Sequence, residues 1–171
     1  MTQTISHNPD PAHGLSSPAS SDAPEQQKTR HAHASCASWN GLGVLLLGPS
    51  GSGKSSLLLR LIDSGFDLVG DDRIVITDHQ ASPARNLEGL IEVRGLGIVR
   101  LPYLAPIPVA LIVDLAHENP PIRLPEKAID RATGAWRLTL NGFHADSVAI
   151  IRTTLRCISG DFTLVCGING A

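Results

Sequence analysis

Leu42-Gly43-Val44-Leu45-Leu46-Leu47-Gly48-Pro49-Ser50-Gly51-Ser52-Gly53-Lys54-Ser55-Ser56-Leu57-Leu58-Leu59-Arg60-Leu61-Ile62 reads as an apolar strand, a glycine-rich turn and the opening of a helix. Residues 48–55 satisfy G-x-x-x-x-G-K-[ST] at every fixed position, and a strand before with a helix after is the context that gives this pattern meaning. Glycines let backbone N–H groups close around phosphate oxygens, and the helix N-terminus adds partial positive charge. The candidate phosphate-binding residues are Gly48, Pro49, Ser50, Gly51, Ser52, Gly53, Lys54, Ser55 and Ser56. Lys54 would reach the β- and γ-phosphates, and Ser55 would place its hydroxyl on Mg²⁺. The chain has three lysines in all, and one of them occupies the motif.

Upstream, Ala34 to Trp39 and Leu42 to Leu47 flank Asn40-Gly41, a pair that tolerates the positive φ of a two-residue hairpin turn. The loop is therefore expected to follow the second arm of a β-hairpin. Downstream, Leu57, Leu58, Leu61 and Ile62 make a helical face over Lys54 to Ser64, with Gly65 as its stop. β-Branched content marks strands at Phe66 to Val69, Ile74 to Thr77, Ile91 to Val93, Ile98 to Leu101 and Val109 to Leu115, then Trp136 to Leu140 and Val148 to Leu155. The fold class is α/β with more strand than helix. Pro102, Pro106 and Pro108 suggest a loop that covers the site, and Trp39 and Trp136 read as packing residues.

Residues 1–30 carry four prolines and five serines against three sizeable apolar side chains, Met1, Ile5 and Leu15. That is too little apolar area to offset ordering entropy, so the stretch reads as a disordered leader before one domain over residues 31–171. With 14 Lys and Arg against 16 Asp and Glu the formal charge is −2, which gives no field for holding nucleic acid. Apolar runs such as Val109 to Val113 are far shorter than a membrane span. Cys36, Cys157 and Cys166 show no paired-motif spacing and read as small buried hydrophobes in a reducing, cytoplasmic setting.

Two further stretches carry chemistry. Asp71-Asp72 ends the strand after the loop, where one carboxylate near Mg²⁺ and another near the γ-phosphate would divide metal positioning from proton abstraction; as a bare pattern, adjacent aspartates also suit a turn. Glu92-Val93-Arg94-Gly95-Leu96-Gly97-Ile98-Val99 lacks the third glycine of a dinucleotide loop. It combines a carboxylate for Mg²⁺ with a guanidinium for phosphate; its bland reading is a glycine bulge in a strand.

Taken in order, His33, the hairpin, the loop, Asp71-Asp72 and the segment Glu92 to Val99 resemble the catalytic, C-terminal domain of the HPr kinase/phosphorylase family in a short single-domain form. The likeness runs well over Ala32 to about Leu115. It rests on spacing as well: His33 stands 15 residues before Gly48, and Asp72 stands 17 after Ser55. The resemblance implies a P-loop kinase domain of the HPr kinase / PEP carboxykinase-like type. It further implies an ATP- and Mg²⁺-dependent protein serine kinase acting on an HPr-like phosphocarrier, cytoplasmic, assembled as a homo-hexamer, and binding neither nucleic acid nor membrane.

Residue by residue, the resemblance makes Asp72 the base that deprotonates the acceptor serine and Lys54 the holder of the β/γ-phosphates. Ser55, Asp71 and Glu92 become the metal residues, His33 positions the reacting phosphate and Asp72, and Arg94, Gly95, Leu96 and Gly97 shape the substrate side. On its own, His33 reads as a solvated or capping histidine. The family's active-site arginine corresponds to Arg123, with Arg131 as the alternative. Its basic stretch associated with dephosphorylation corresponds to Gly142 to Ser147, where both arginines are absent, which implies a weak or missing phosphorylase branch. A P-loop kinase of another protein or a small metabolite, and an ATP-sensing regulator, are the alternative readings.

Overall fold

The computed structural model describes residues 28–116 and 122–168. Its first strands are β1 (Thr29–His33), β2 (Ser35–Trp39) and β3 (Leu42–Leu47). β2 and β3 pair antiparallel with Trp39 opposite Leu42. The turn residues take φ of 50° at Asn40 and 79° at Gly41, as a two-residue hairpin turn with the twist of its strands requires. α1 (Lys54–Asp63) then opens the second layer. It is followed by β4 (Asp67–Gly70), β5 (Arg73–Thr77), β6 (Gln80–Pro83), β7 (Leu90–Val93), β8 (Gly97–Arg100), β9 (Ile107–Leu115), β10 (Trp136–Leu140) and α2 (Ser147–Ile158).

Eight strands form a mixed sheet in the order β1-β5-β6-β9-β3-β2-β4, with β10 also paired to β9, while β7 and β8 make a separate hairpin. β3 and β10 each run parallel to β9. A central strand covered on both faces is apolar throughout rather than alternating, and β3 is such a strand. Val44 and Leu46 enter one core with Leu57, Leu58 and Leu61 of α1 and Ile151 and Leu155 of α2. Leu45 enters a second core with Cys36, Ile74, Ile76 and Ile112. β9 changes phase part-way: Gly43 stands opposite Val109, but Val44 stands opposite Leu111. Ala110 is the extra residue of a bulge, which puts Val109 in the second core and Leu111 and Val113 in the first.

Four expectations are corrected. Val148 to Leu155 lies in a helix, not a strand. Ser147, Ile151 and Leu155 are its buried positions, and four-residue spacing on one apolar face outweighs β-branched propensity. Thr29 and Arg30 belong to β1, paired with Thr77 and Ile76, so part of the stretch read as a leader is strand; residues 1–27 lie outside the described residues. The proline-containing segment after β8 does not line the site. It is tied to β4 by a Leu68–Tyr103 bridge and by Leu104 N donating to Leu68 O at 2.8 Å. Of the cysteines only Cys36 is buried, and burial pushes its thiol up to about 12; Cys157 is half-buried and Cys166 exposed.

β6 was not expected, because its turn is Asp78-His79 rather than a glycine pair. Both residues nonetheless take positive φ, 48° and 67°. Trp39 and Trp136 pack against the first core, as anticipated. Among the described residues no helix is long and apolar enough to cross a membrane.

Candidate active site

The phosphate loop follows the C-terminal end of the central strand β3, and Gly53 hands the chain to α1. Gly53 is the N-cap residue with φ of 95°, a left-handed conformation that glycine adopts without penalty. Lys54 is 7% exposed. Its Nζ donates to Gly48 O at 2.8 Å and Pro49 O at 3.0 Å, which curls the ammonium back along the loop it belongs to.

The acidic pair divides as its two environments dictate. Asp71 is buried and accepts from Ser35 Oγ at 2.5 Å and from Ser55 Oγ at 3.1 Å, both on Oδ1. Asp72 is exposed, with φ of 68°. That backbone turn sends successive carboxylates to different environments. His33 Nδ1 lies 3.1 Å from Asp72 Oδ1 and 3.0 Å from Asp72 O. A backbone carbonyl only accepts, so Nδ1 carries the proton. β1 and β5 are in register at this end, with His33 opposite Arg73, which is how a residue 39 positions away in sequence meets Asp72.

These groups line one cleft of about 410 Å³: His33, Ser50, Gly51, Gly53, Lys54, Ser55, Ser56, Asp71, Asp72, Glu92 and Arg94, together with Leu59, Val93 and Phe143. Gly48, Pro49 and Ser52 form the loop behind it. Gly95, Leu96 and Gly97 are not in its wall. Gly95 and Leu96 lie with Arg94 in the turn of the β7–β8 hairpin, where Leu96 is 75% exposed, and Gly97 opens β8. Arg123 does not reach the cleft; it lines a second cavity with Trp136, Leu138 and Ile150. The segment before β10 is tied to that strand by an Ile129–Trp136 bridge and by Arg137 N donating to Ala128 O at 2.8 Å. Arg131 lines neither space.

The donor set suits Mg²⁺. A carboxylate oxygen and a hydroxyl oxygen 3.1 Å apart, beside a phosphate loop and with Glu92 in the same cleft, are hard oxygen ligands. This ion takes few protein groups and leaves its other positions to phosphate and water. The described residues contain no cluster of three His, Cys, Asp or Glu able to hold a metal by themselves.

Residues 25–104 match the family model of the HPr Serine kinase C-terminal domain. The segment is similar to the HPr kinase family's C-terminal domain. Similar curated proteins are the HPr kinase/phosphorylase of Chlorobium phaeovibrioides, 44% identical over 73 residues, which are 39% of this chain and 22% of that protein. The HPr kinase/phosphorylase of Geobacillus thermodenitrificans is 37% identical over 103 residues, 53% of this chain and 32% of that protein. The match thus spans about a fifth to a third of the length of these relatives. The Hpr(Ser) kinase/phosphatase structure from Coxiella burnetii superposes with a TM-score of 0.62 at 24% identity, covering 77% of this chain and 92% of that one. The strand-rich HPr kinase fold is shared well beyond the segment of clear sequence similarity.

Three residues with roles at the cleft went unread in the sequence. Ser35 fixes Asp71, and its signal was a serine at the start of a buried strand. Arg60 donates to Gly142 O and, at 2.9 Å, to His144 O, docking a distant loop onto α1. Phe143, from that loop, forms part of the cleft wall. Nothing local in the sequence marks either contact.

Proposed function

We propose that this chain is a protein serine kinase that transfers the γ-phosphoryl group of ATP to an HPr-like phosphocarrier. The observation that carries the proposal is the Asp72 carboxylate, paired to His33 Nδ1 at 3.1 Å in the same cleft as the phosphate loop. A candidate base must stand within reach of the proton it takes and be held in orientation. In this reading Asp72 accepts the proton of the acceptor serine. His33 donates to Asp72 and keeps its carboxylate aimed. Lys54 exchanges its two loop carbonyls for β- and γ-phosphate oxygens, and Arg94 stands at the cleft wall to offset phosphate charge. Ser55, Asp71 and Glu92 would hold Mg²⁺, which when bound neutralises phosphate charge. Ser35 Oγ donates to Asp71 and holds its carboxylate in place. Phosphoryl transfer asks the protein mainly for positioning and charge stabilisation, and this wall supplies both.

The proposal extends to a homo-hexamer in the cytoplasm, checked by sedimentation of the purified chain. It also includes a weak phosphorylase branch, because the loop Gly142 to Ser147 contains no arginine. The decisive experiment incubates the chain with γ-labelled Mg-ATP and the HPr-like protein of the same organism. Label on a serine, absent with Lys54→Ala, is the expected result; no transfer despite ATP binding would move the acceptor elsewhere. Pyrophosphate release from phosphorylated HPr and inorganic phosphate is expected to be slow, and rapid release would overturn that part.

A further inference from the structure

The cleft has a polar wall and an apolar one, and they come from different parts of the chain. His33, Asp71, Asp72 and Glu92 line the cleft together with the phosphate loop. Leu59 and Phe143 line the same cleft and are 38% and 55% exposed.

Phe143 is exposed yet its backbone is fixed. Phe143 N donates to Asn141 Oδ1 at 3.0 Å, Ser147 Oγ donates to Asn141 O at 2.7 Å, and Arg60 holds the carbonyls on either side of it. Gly142 sits so close to the phosphate loop that a Cβ there would stand 2.8 Å from Ser52 O. The Phe143 ring lies over Gly53, 3.1 to 3.3 Å from where a Cβ on that residue would be. A rigid turn therefore presents an aromatic side chain beside the loop before any ligand arrives, which lowers the ordering cost of binding.

We propose that Phe143 is the stacking platform for the base of the nucleoside triphosphate whose phosphates the loop holds. The inference rests on the nucleotide-binding reading above. A triphosphate held by Lys54 and Ser55 must place its base outside the polar wall, and an aromatic ring is the surface on which a base of any identity gains stacking energy. Phe143 lies beyond the segment 25–104 that the family model matches.

The test measures dissociation constants of Mg-ATP and of Mg-tripolyphosphate, which lacks a base, for the full chain and for Phe143→Ala, Phe143→Leu and Phe143→Trp. Loss of the ring is expected to weaken ATP about tenfold, equal to about 1.4 kcal/mol, while tripolyphosphate is unchanged. Phe143→Leu keeps apolar bulk against Gly53 and is expected to weaken ATP like Phe143→Ala, so a folding defect in the latter leaves the test intact. Phe143→Trp is expected to restore ATP binding, with its added fluorescence changed by ATP and not by tripolyphosphate. Equal weakening of both ligands would overturn the proposal and make the ring a brace for the loop. No change in either would also overturn it. A wild-type chain that binds tripolyphosphate as tightly as ATP overturns the stacking role alone; one that binds neither overturns the nucleotide reading as well.

Discussion

The phosphate-loop cleft and the cavity beneath β10 and α2 are similar in size, about 410 and 510 Å³, and opposite in construction. The cleft is walled by charged and polar groups whose positions come from backbone geometry: a left-handed Gly53, a left-handed Asp72 and strand register between β1 and β5. The other cavity is walled mainly by apolar side chains such as Trp136, Leu138, Ile150 and Leu164. Chemistry at a phosphate demands particular residues at particular spacings. An apolar wall demands only volume and hydrophobicity, which many sequences satisfy.

The largest expected effect sharpens that contrast. Asp72→Asn keeps the size of the side chain and an oxygen for His33 Nδ1 to donate to, and removes the base. Phosphoryl transfer should fall by about 10² to 10⁴, with ATP affinity held within about twofold, since the change strikes the chemical step rather than binding. Initial rates and equilibrium titration separate the two. An affinity loss as large as the rate loss would mean that Asp72 holds the nucleotide and that the base lies elsewhere.

On the opposite side of the comparison, Ile151→Ala hollows α2, which packs on α1 and β9. Ile151 is fully buried in the first core, so truncation should cost about 2–5 kcal/mol in urea unfolding. A loss under about 1 kcal/mol would show that α2 packs too loosely to be part of the core.

Legibility in the sequence followed the same division. The hairpin, α1, the phosphate loop, Asp71-Asp72 and the Glu92–Arg94 pair could be read because each is a local pattern whose residues act within a few positions of one another. The pairing of His33 with Asp72 could not be read from residue patterns, since it depends on β1 lying beside β5. It entered only through likeness to a known family. α2 was misread because Val148, Ile150 and Ile151 have strand propensity, while its helical state is decided by the face that Ile151 and Leu155 bury against α1. Arg60 reaching Gly142 and His144 joins residues more than eighty positions apart, and no spacing rule reports that.

A smaller effect comes from the ion pairs that bind β10 to its neighbours. Arg137 Nε and a terminal nitrogen meet Asp114 at 2.5 and 2.8 Å, with Asp130 at 3.5 Å. The hydrogen bond to Asp114 raises the guanidinium pKa, with burial opposing and the charges of Asp114 and Asp130 adding. At Asp130 burial alone would raise the carboxyl pKa. Hydrogen bonds from Thr133 Oγ1, Thr133 N and Ala132 N, with the charge of Arg137, outweigh it and hold the group below its ordinary value. A carboxyl lowered in the folded state stabilises above its unfolded pKa, about 3.9, and loses that contribution as pH falls through the folded value. Wild type should therefore lose stability more steeply than Asp130→Asn between about pH 5 and pH 2. Arg137→Ala should cost about 1–2 kcal/mol at pH 7. Parallel acid and urea titrations check both.

Arg123 gives the smallest expected effect and the sharpest test of whether the two regions are separate. Likeness to the HPr kinase family made it the active-site arginine, whereas the fold puts it in the wall of the β10–α2 cavity and leaves Arg94 as the arginine in the cleft. If each cleft works with its own chain's residues, Arg123→Ala should change phosphoryl transfer by less than about threefold, whereas loss of a guanidinium that stabilises a transferring phosphoryl costs about 10³ or more. A large loss in Arg123→Ala would mean that Arg123 serves the cleft of a neighbouring subunit. Mixing Arg123→Ala with Asp72→Asn chains would then restore activity, because the mixed assembly would contain clefts with both groups intact.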